Sequence, residues 1–365
     1  MHVFHRFART LLLTGMLAAV SAASALAGDL VVTIDPGHGG SDAGSTAVYS
    51  GKTVQEKTCN LDIAKALKTE LETYRNVKVY LTRSSDTTLS LEARVNAADS
   101  HDSDLLISIH NNARGDAQPY TSGSSALVSS GQYYRDLANC TSALGKTILS
   151  ELHSGPGTTN RGLLKRLSGS SYYPNGARAD YYGLIRYGTN DGIPTMIVEH
   201  SFIDNRSDYT AFLSTAAKRK QLGIADATAI AKYYGLDKKD GSVNYTASGV
   251  PVRMISRHWM LKGGKYYYVR NNGTYKTGWQ TLGSHTYHFA SSGAASTGLH
   301  TYTSSPAGTY YFNSRGQMVT GWVQLDGDWY YFRKTGKALK DTTRVLKGKS
   351  YTFDRSGVCT NYPGE

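Results

Sequence analysis

The feature that most constrains the fold is a repeat of about twenty residues that fills the last third of the chain. Each copy has a glycine-containing turn, an aromatic strand and a second turn ending in glycine, and several close on Thr-Gly-Trp. The copies read GGKYYYVRNNGTYKTGW, GSHTYHFASSGAASTGL, AGTYYFNSRGQMVTGW, DGDWYYFRKTGKALKDT and KGKSYTFDRSGVCT. A lone hairpin cannot bury its aromatic side chains, whereas stacked hairpins can. The repeat therefore predicts a β-hairpin solenoid over residues 256–365.

Aromatic residues are concentrated in this tail. It holds 12 of the 27 tyrosines and all four tryptophans: Trp259, Trp279, Trp322 and Trp329. We expect most of them to form the core of the solenoid. Aromatic faces that line the grooves between repeats suit sugar rings or quaternary ammonium groups.

The segment before the repeats has a different pattern, in which strands alternate with helices. Apolar stretches such as LVVTID, DLLISIH and PTMIVEH read as strands, and NLDIAKALKTELETY and RKQLGIADATAIAKYYG have helical periodicity. This alternation predicts an α/β sheet covered by helices over residues 28–236. The polar, Gly- and Ser-containing stretch after Gly235 predicts a linker at 237–255.

The first 27 residues have the layout of a secretory signal peptide. Arg6 and Arg9 precede an apolar run that is too short to span a bilayer, and ASALAG offers a cleavage site after Ala27. No later apolar run is long enough to cross a membrane. We therefore expect an extracellular protein.

Positive charge is concentrated in the tail. The chain has a net charge of +12, and the residues from Asp240 onward carry fifteen Lys and Arg against six Asp and Glu, a net +9. A basic segment on a secreted protein indicates an anionic extracellular partner. Secretion makes a nucleic-acid partner improbable.

The chain has three cysteines, Cys59, Cys140 and Cys359. Their odd number and their spacing match neither a disulfide framework nor a zinc motif. We predict three buried, free thiols.

Four residues with ligand or acid–base chemistry lie at the ends of predicted elements. His38 and His110 follow strands, Glu56 precedes the first helix, and Glu199 ends another strand. The carboxyl ends of strands meet at one edge of an α/β sheet, where such proteins place their sites. Two imidazoles and a carboxylate hold Zn²⁺ with one open position, and a further carboxylate is needed to move protons. The spacing of these residues alone does not distinguish metal ligands from ordinary residues of a turn, a helix start or a strand end.

A family resemblance adds weight to this constellation. The segments IDPGHGGSDAGS, EKTCNLDIAKALK, VYLTRSSDTTLSLEARVNAADS, DLLISIHNNA and IPTMIVEHSFIDN resemble, in this order, the zinc-dependent N-acetylmuramoyl-L-alanine amidases. The resemblance covers nearly all of residues 30–235. It implies one zinc ion bound by His38, Glu56 and His110, with Glu199 as the catalytic carboxylate. It also implies a twisted, mostly parallel sheet with helices on both faces.

The sequence departs from this family directly after Glu199. The family often has Leu-Gly-Phe there, and this chain has His200-Ser201-Phe202. If the strand continues, His200 points to the opposite side of the sheet, which predicts a structural or supporting role. Asn112 and Arg186 lie beside the motifs and are predicted to contact substrate.

The tail is similar to the cell-wall-binding repeats of the choline-binding or glucan-binding type, most clearly over residues 320–339. Choline sites of that family use tryptophan at each junction between repeats, whereas Leu299 occupies one such position here. We therefore leave three partners open for the tail: an anionic wall polymer, choline or a glycan.

Together these features predict a secreted, wall-associated zinc amidase that acts on peptidoglycan. Two alternatives remain at this point. One is a wall-anchored zinc peptidase acting on stem peptides, and the other is a wall-binding protein without catalytic activity.

Overall fold

The computed structural model describes residues 29–115, 121–255, 258–270 and 273–362. The predicted signal peptide, residues 1–27, lies outside the described residues. The helices and strands of the first unit are, in chain order, β1 (Leu30–Pro36), β2 (Thr46–Tyr49), β3 (Lys52–Gln55), α1 (Glu56–Leu71), β4 (Val77–Leu81), α2 (Leu91–Ser100), β5 (Leu105–Asn112), β6 (Ser124–Val128), α3 (Arg135–Ser154), β7 (Asn160–Leu164), β8 (Leu167–Tyr172), β9 (Arg178–Asp180), α4 (Gly183–Asn190), β10 (Thr195–Phe202), α5 (Arg206–Asp208) and α6 (Ala216–Tyr234). A π-helical turn, Tyr209–Leu213, joins α5 to α6.

Six of these strands form one sheet in the order β4-β1-β5-β10-β6-β7. All neighbouring pairs are parallel except β10 and β6, which are antiparallel. The mostly parallel sheet is therefore confirmed. The pairs β2–β3 and β8–β9 are separate hairpins that the sequence patterns did not reveal.

The two faces of the sheet are covered by different helices. Strand residues alternate between them, so that Ile107 of β5 joins the main core with α1, α3 and α6. Its neighbour Leu106 joins a smaller core with Val95 of α2 and Leu184 of α4. Helices on both faces are thus confirmed, and Ser90 caps α2 by accepting a hydrogen bond from the backbone of Ala93 at 3.1 Å.

The tail is a series of β-hairpins, as predicted. A three-stranded sheet comes first, with β11 (Val252–Met254), β12 (Trp259–Lys262) and β13 (Lys265–Tyr268). Four hairpins follow, formed by β14 (Gly278–Leu282) and β15 (His285–Phe289), β16 (Gly298–Tyr302) and β17 (Gly308–Phe312), β18 (Gly321–Leu325) and β19 (Asp328–Phe332), and β20 (Thr342–Leu346) and β21 (Lys349–Phe353).

Successive hairpins are joined by a short segment that follows each second strand. After β17, for example, Met318 bridges back to Phe312, and its backbone N–H donates to the carbonyl of Thr286 in the preceding hairpin at 2.8 Å. The aromatic side chains stack in the same direction. Trp279 contacts Tyr310 and Phe312 of the next hairpin, with ring centroids 4.7 and 5.8 Å away. Most of the aromatic residues therefore form the solenoid core.

The predicted linker, residues 237–255, packs against the first unit. Tyr245 stacks on Tyr74 with ring centroids 6.4 Å apart, and β11 begins within this segment, at Val252. Val252 is buried in the main core of the first unit, together with Met260 and Leu261 of β12. The first hairpins of the tail therefore share a hydrophobic core with the first unit. Because residues 237–255 are polar in composition, the sequence did not predict this shared core.

Two further expectations concern single residues and membrane topology. Cys59, Cys140 and Cys359 are free and buried, as predicted. Within the described part of the chain, no helix combines the length and the apolar character needed to cross a membrane.

Candidate metal centre and active site

The turn after β1 presents His38 in an unusual backbone conformation. Its φ is +61°, a left-handed value that is uncommon for residues other than glycine and is concentrated at functional sites. Two glycines near His38, Gly37 and Gly44, make room for the imidazoles. A Cβ on Gly37 would lie 2.2 Å from the ring of His110, and one on Gly44 would lie 2.6 Å from the ring of His38.

Two buried arginines hold this turn in place. Arg83 donates to the carbonyl of Pro36 at 2.8 Å, and Arg94 donates to the carbonyl of His38 at 2.9 Å. Arg94 also pairs with the buried carboxylate of Asp35 at 2.6 Å. Because these bonds satisfy the turn's carbonyls from within the fold, the strained conformation of His38 is fixed by the structure around it.

Three potential ligands converge at this turn. Nε2 of His38 lies 3.2 Å from Oε2 of Glu56, and Nδ1 of His110 lies 3.0 Å from Oε1 of the same carboxylate. One ligand atom from each residue falls within 4.8 Å of the others. Two imidazole nitrogens and a carboxylate oxygen are a donor set that zinc uses in catalytic sites.

Glu56 is oriented by the backbone around it. It is the first residue of α1, where the helix dipole favours a negative charge. Its carboxylate accepts hydrogen bonds from the backbone N–H groups of Ser45 at 2.9 Å and Asn111 at 3.1 Å. Asn60, one turn along α1, donates to the same carboxylate at 3.2 Å. The carboxylate is thereby aimed at both imidazoles.

The charges of this cluster support one another. Burial raises the pKa of Glu56, but the hydrogen bonds from His110 and His38 outweigh it and hold this pKa well below its usual range. Burial lowers the pKa of His38, but Glu56 and Asp42 outweigh burial and raise it to about 9. The pKa of His110 is raised by Glu56 in the same way, against the effect of burial. A divalent cation would replace the protons on these imidazoles.

Asp42 fixes the orientation of His38. Nδ1 of His38 donates to Oδ2 of Asp42 at 2.8 Å, which directs Nε2 toward Glu56. Carboxylates that hold the outer nitrogen of a histidine ligand set its tautomer and increase its basicity.

Glu199 lies beside His110 in the adjacent strand. The parallel register of β10 and β5 pairs the two residues directly. The Oε2 atom of Glu199 is buried and has no hydrogen-bond partner among the described residues. Burial raises the pKa of Glu199 to about 7, with the charge of Glu56 adding to this effect and nearby histidines opposing it. A carboxyl group with this pKa can both accept and donate a proton near neutral pH.

His200 points to the opposite face of the sheet. Its Nδ1 donates to the carbonyl of His110 at 3.1 Å, and its Nε2 lies 2.8 Å from the carboxylate of Asp226 on α6. Both side chains are fully buried. His200 therefore supports the strand that carries His110 from behind.

An open cleft of about 380 Å³ lies in front of the two imidazoles. Its other walls come from the segment before α2 and from the start of α4, including Leu89, Leu91 and Tyr182. The two imidazoles are therefore accessible to a substrate from the cleft. The carboxylate of Glu56 behind them is buried.

Comparisons with known proteins identify the family of the first unit. The family model described as N-acetylmuramoyl-L-alanine amidase matches residues 32–232, more than half of the chain. The chain belongs to the N-acetylmuramoyl-L-alanine amidase family. Choline-binding repeat models match residues 296–342 and 319–359, and a cell wall binding repeat model matches residues 277–295.

Several characterised amidases are similar in sequence. The sporulation-specific N-acetylmuramoyl-L-alanine amidase of Bacillus subtilis is 31% identical over 59% of this chain and 72% of that protein. The amidase LytC of the same organism is 34% identical over 59% of this chain and 35% of that protein. The solved catalytic domain of CwlV from Bacillus (Paenibacillus) polymyxa var. colistinus is 28% identical over 56% of this chain and 97% of that chain, with a TM-score of 0.42.

The two residues predicted to contact substrate in this amidase make backbone hydrogen bonds. The side-chain oxygen of Asn112 accepts from the N–H of Ala113 at 2.8 Å, and Arg186 donates to the carbonyl of Asp180 at 2.9 Å. Arg186 lies close to Gly183, which lines the cleft. Their contact with substrate remains a prediction.

Apart from His200, the sequence patterns did not reveal the residues that support the amidase site. Arg83, Arg94 and Asn60 act through hydrogen bonds to distant backbone or to another side chain, which leave no periodic signal. Asp42 was the one detectable from sequence, because it follows His38 by four residues in a glycine-rich turn.

Proposed function

We propose that this amidase is a secreted, zinc-dependent enzyme that hydrolyses the amide between the lactyl group of N-acetylmuramic acid and L-alanine in peptidoglycan. The observation that carries the proposal is the convergence of His38, Glu56 and His110 beside the partnerless carboxylate oxygen of Glu199. The amidase family supplies the reaction, and these four side chains supply the chemistry that the reaction needs.

The donor set fits zinc. His38 and His110 offer neutral nitrogens once their protons are displaced, and Glu56 presents its carboxylate between them, with Oε2 toward His38 and Oε1 toward His110. Zinc, when bound, supplies Lewis acidity that polarises the scissile carbonyl and acidifies the attacking water. Asp42 keeps the outer nitrogen of His38 occupied, so that Nε2 is the atom presented to the metal.

Glu199 moves the protons. Its raised pKa keeps it close to balance between its two protonation states near neutral pH. The carboxylate takes a proton from the attacking water and then gives it to the departing amine of L-alanine. The C–N bond breaks, and the products are a free lactyl carboxylate on the glycan and a peptide with an L-alanine amino terminus.

The repeats attach the enzyme to its substrate. Several weak contacts along a solenoid raise the local concentration of the catalytic unit at the wall. The net charge of +9 from Asp240 onward favours an anionic wall polymer, while choline and a glycan remain the other candidates for the tail as a whole. The layout of residues 1–27 supports export.

Mass spectrometry of digested muropeptides tests the reaction. The amidase releases peptides that begin with L-alanine and leaves glycan with an intact lactyl carboxylate. Cleavage within the stem peptide would instead identify a zinc peptidase, and unchanged muropeptide in the presence of zinc would identify a wall-binding protein without activity.

A further inference from the structure

The grooves between successive hairpins of the tail are not equivalent. The tail matches the family of choline-binding repeats. Such repeats suggest that aromatic side chains form a cage for a quaternary ammonium group at each junction. The side chains that fill each junction differ. The groove at Trp259 combines an open aromatic wall with a charged side chain.

The last junction is closed by the chain itself. Trp322 contacts Tyr351 of the next hairpin at 4.8 Å, and Tyr362 near the C-terminus stacks on Trp329 at 4.3 Å. Tyr362 also contacts Trp322 at 4.7 Å. The aromatic faces that a cation would use are therefore covered by Tyr362.

The two middle junctions also lack a free cage. At the second, Trp279 packs against Tyr302 and His288, and the hydroxyl of Tyr302 bonds to Nδ1 of His288 at 2.9 Å. At the third, Leu299 takes the position of the tryptophan and pairs with Tyr311 across the hairpin. An aliphatic side chain gives a cation no negative ring face.

The first junction is different. A groove of about 160 Å³ is lined by Trp259, Tyr266 and Tyr287, with Arg315 and Gln317 at its edge. This volume suits a single sugar ring. Aromatic walls with a few fixed polar groups are typical of small-molecule sites.

The turn after β17 brings the polar side chains to this groove. Asn313 accepts hydrogen bonds from the backbone N–H groups of Arg315 and Gln317, both at 3.0 Å, and its amide donates to the side-chain oxygen of Gln317 at 2.9 Å. Between them, Gly316 has φ +77°, and a Cβ there would lie 2.7 Å from Ala295. The turn is therefore fixed closely against the preceding repeat.

Arg315 gives the groove its charge preference. It is exposed and makes no ion pair with any acidic side chain of the described residues. A guanidinium at the edge of an aromatic groove repels a quaternary ammonium group and binds carboxylate or phosphate.

We propose that the groove formed by Trp259, Tyr266, Tyr287, Arg315 and Gln317 binds a pyranose ring that carries a carboxylate or phosphate. The inference rests on the proposed wall attachment and names its ligand class. Two wall components have this chemistry. One is the glycan strand that the amidase leaves behind, whose N-acetylmuramic acid has a free lactyl carboxylate, and the other is a phosphate-bearing wall polymer.

An NMR titration of the full-length protein tests the chemistry. The indole N–H signal of Trp259, assigned with the variant Trp259→Phe, is followed against methyl glucuronide, N-acetylmuramic acid, methyl glucoside and choline. We expect both acidic sugars to shift the signal, the neutral glucoside to bind about tenfold more weakly, and choline to leave it unchanged. Choline binding at this groove more tightly than glucuronide would overturn the proposal.

A pair of matched variants isolates the charge. Arg315→Gln is expected to reduce glucuronide affinity to that of the glucoside. Arg355→Gln removes the same charge from an exposed turn of the last repeat and is expected to change nothing. Glucuronide binding by Arg315→Gln equal to that of the unaltered protein would refute the assignment. The titration involves no hydrolysis, so its outcome is independent of the proposed amidase reaction.

Co-sedimentation with walls then identifies the source of the ligand, in a Glu199→Gln background that prevents digestion. Retention that depends on Arg315 and disappears after acid removal of phosphate polymers identifies those polymers. Retention that depends on Arg315 and rises after amidase pre-digestion identifies the denuded glycan. Equal retention with and without Arg315 on both wall preparations would contradict the proposal.

Discussion

Removing the tail at residue 240 should destabilise the catalytic unit, because the first repeat completes its core. Four aliphatic side chains of that repeat belong to the main core and are at most 4% exposed: Val252, Met260, Leu261 and Val269. At about 1.5–3 kcal/mol each, their burial amounts to about 6–12 kcal/mol. If about half of this burial is made against the catalytic unit, the loss of about 3–6 kcal/mol is comparable to the roughly 5–15 kcal/mol that stabilises a typical domain.

Two truncations and two point variants measure this effect. A protein ending at residue 297 keeps the shared core and should unfold thermally like the catalytic unit of the full chain, whereas one ending at residue 240 should unfold well below it. Leu261→Ala should cost about 2–5 kcal/mol, a shift of about 4–20 °C. Leu339→Ala removes an equally buried leucine from the last repeats and should leave the catalytic unit unchanged.

The assay is the thermal loss of soluble muropeptide hydrolysis by the zinc-loaded protein. Ion pairs between Arg253 and Asp104 and between Lys262 and Asp136 also disappear with the cut at 240. Equal thermal stability of the proteins ending at 240 and 297 would show that the first repeat is independent and that this reasoning is wrong.

Two further predictions concern the metal site. Asp42→Ala frees Nδ1 of His38 and should weaken zinc binding about 10–100-fold in a chelator competition. The control Asp328→Ala, in the tail, should not change the zinc affinity. If Asp42→Ala binds zinc as tightly as the unaltered protein, Asp42 has no role in the site. Zinc affinity should also depend on pH: the raised pKa of His38, about 9, keeps this imidazole protonated at pH 7 in the metal-free protein, and zinc needs it neutral. Affinity should therefore rise at least about tenfold per pH unit between pH 7 and 9, because the pKa of His110 is also raised, and a flat profile would contradict the predicted ligand role.

The convergence of the site residues was predictable because each lies at the end of a regular element. His38 follows β1, Glu56 opens α1, and His110 lies near the end of β5, so an α/β sheet brings them to one edge. The alternation of side chains along β10 likewise places Glu199 on the side of the cleft and His200 on the opposite face.

The support of the site was not predictable in the same way. Arg83 and Arg94 satisfy backbone carbonyls some fifty residues earlier in the chain, and such contacts depend on tertiary structure rather than on local pattern. The hydrophobic core that the first repeat shares with the catalytic unit was not predictable for a related reason. Val252 lies in a short apolar run with Val250 and Met254 that follows a polar stretch, and only the folded chain shows which core it completes.

The most direct test of the account combines zinc content with product analysis for Glu199→Gln. The predicted ligands His38, Glu56 and His110 are unchanged in this variant, so one zinc ion per chain is expected in both proteins by metal mass spectrometry. The unaltered enzyme should release peptides with an L-alanine amino terminus, and the variant should release none. Undiminished release by Glu199→Gln, or full activity of protein stripped of zinc, would contradict the proposed mechanism.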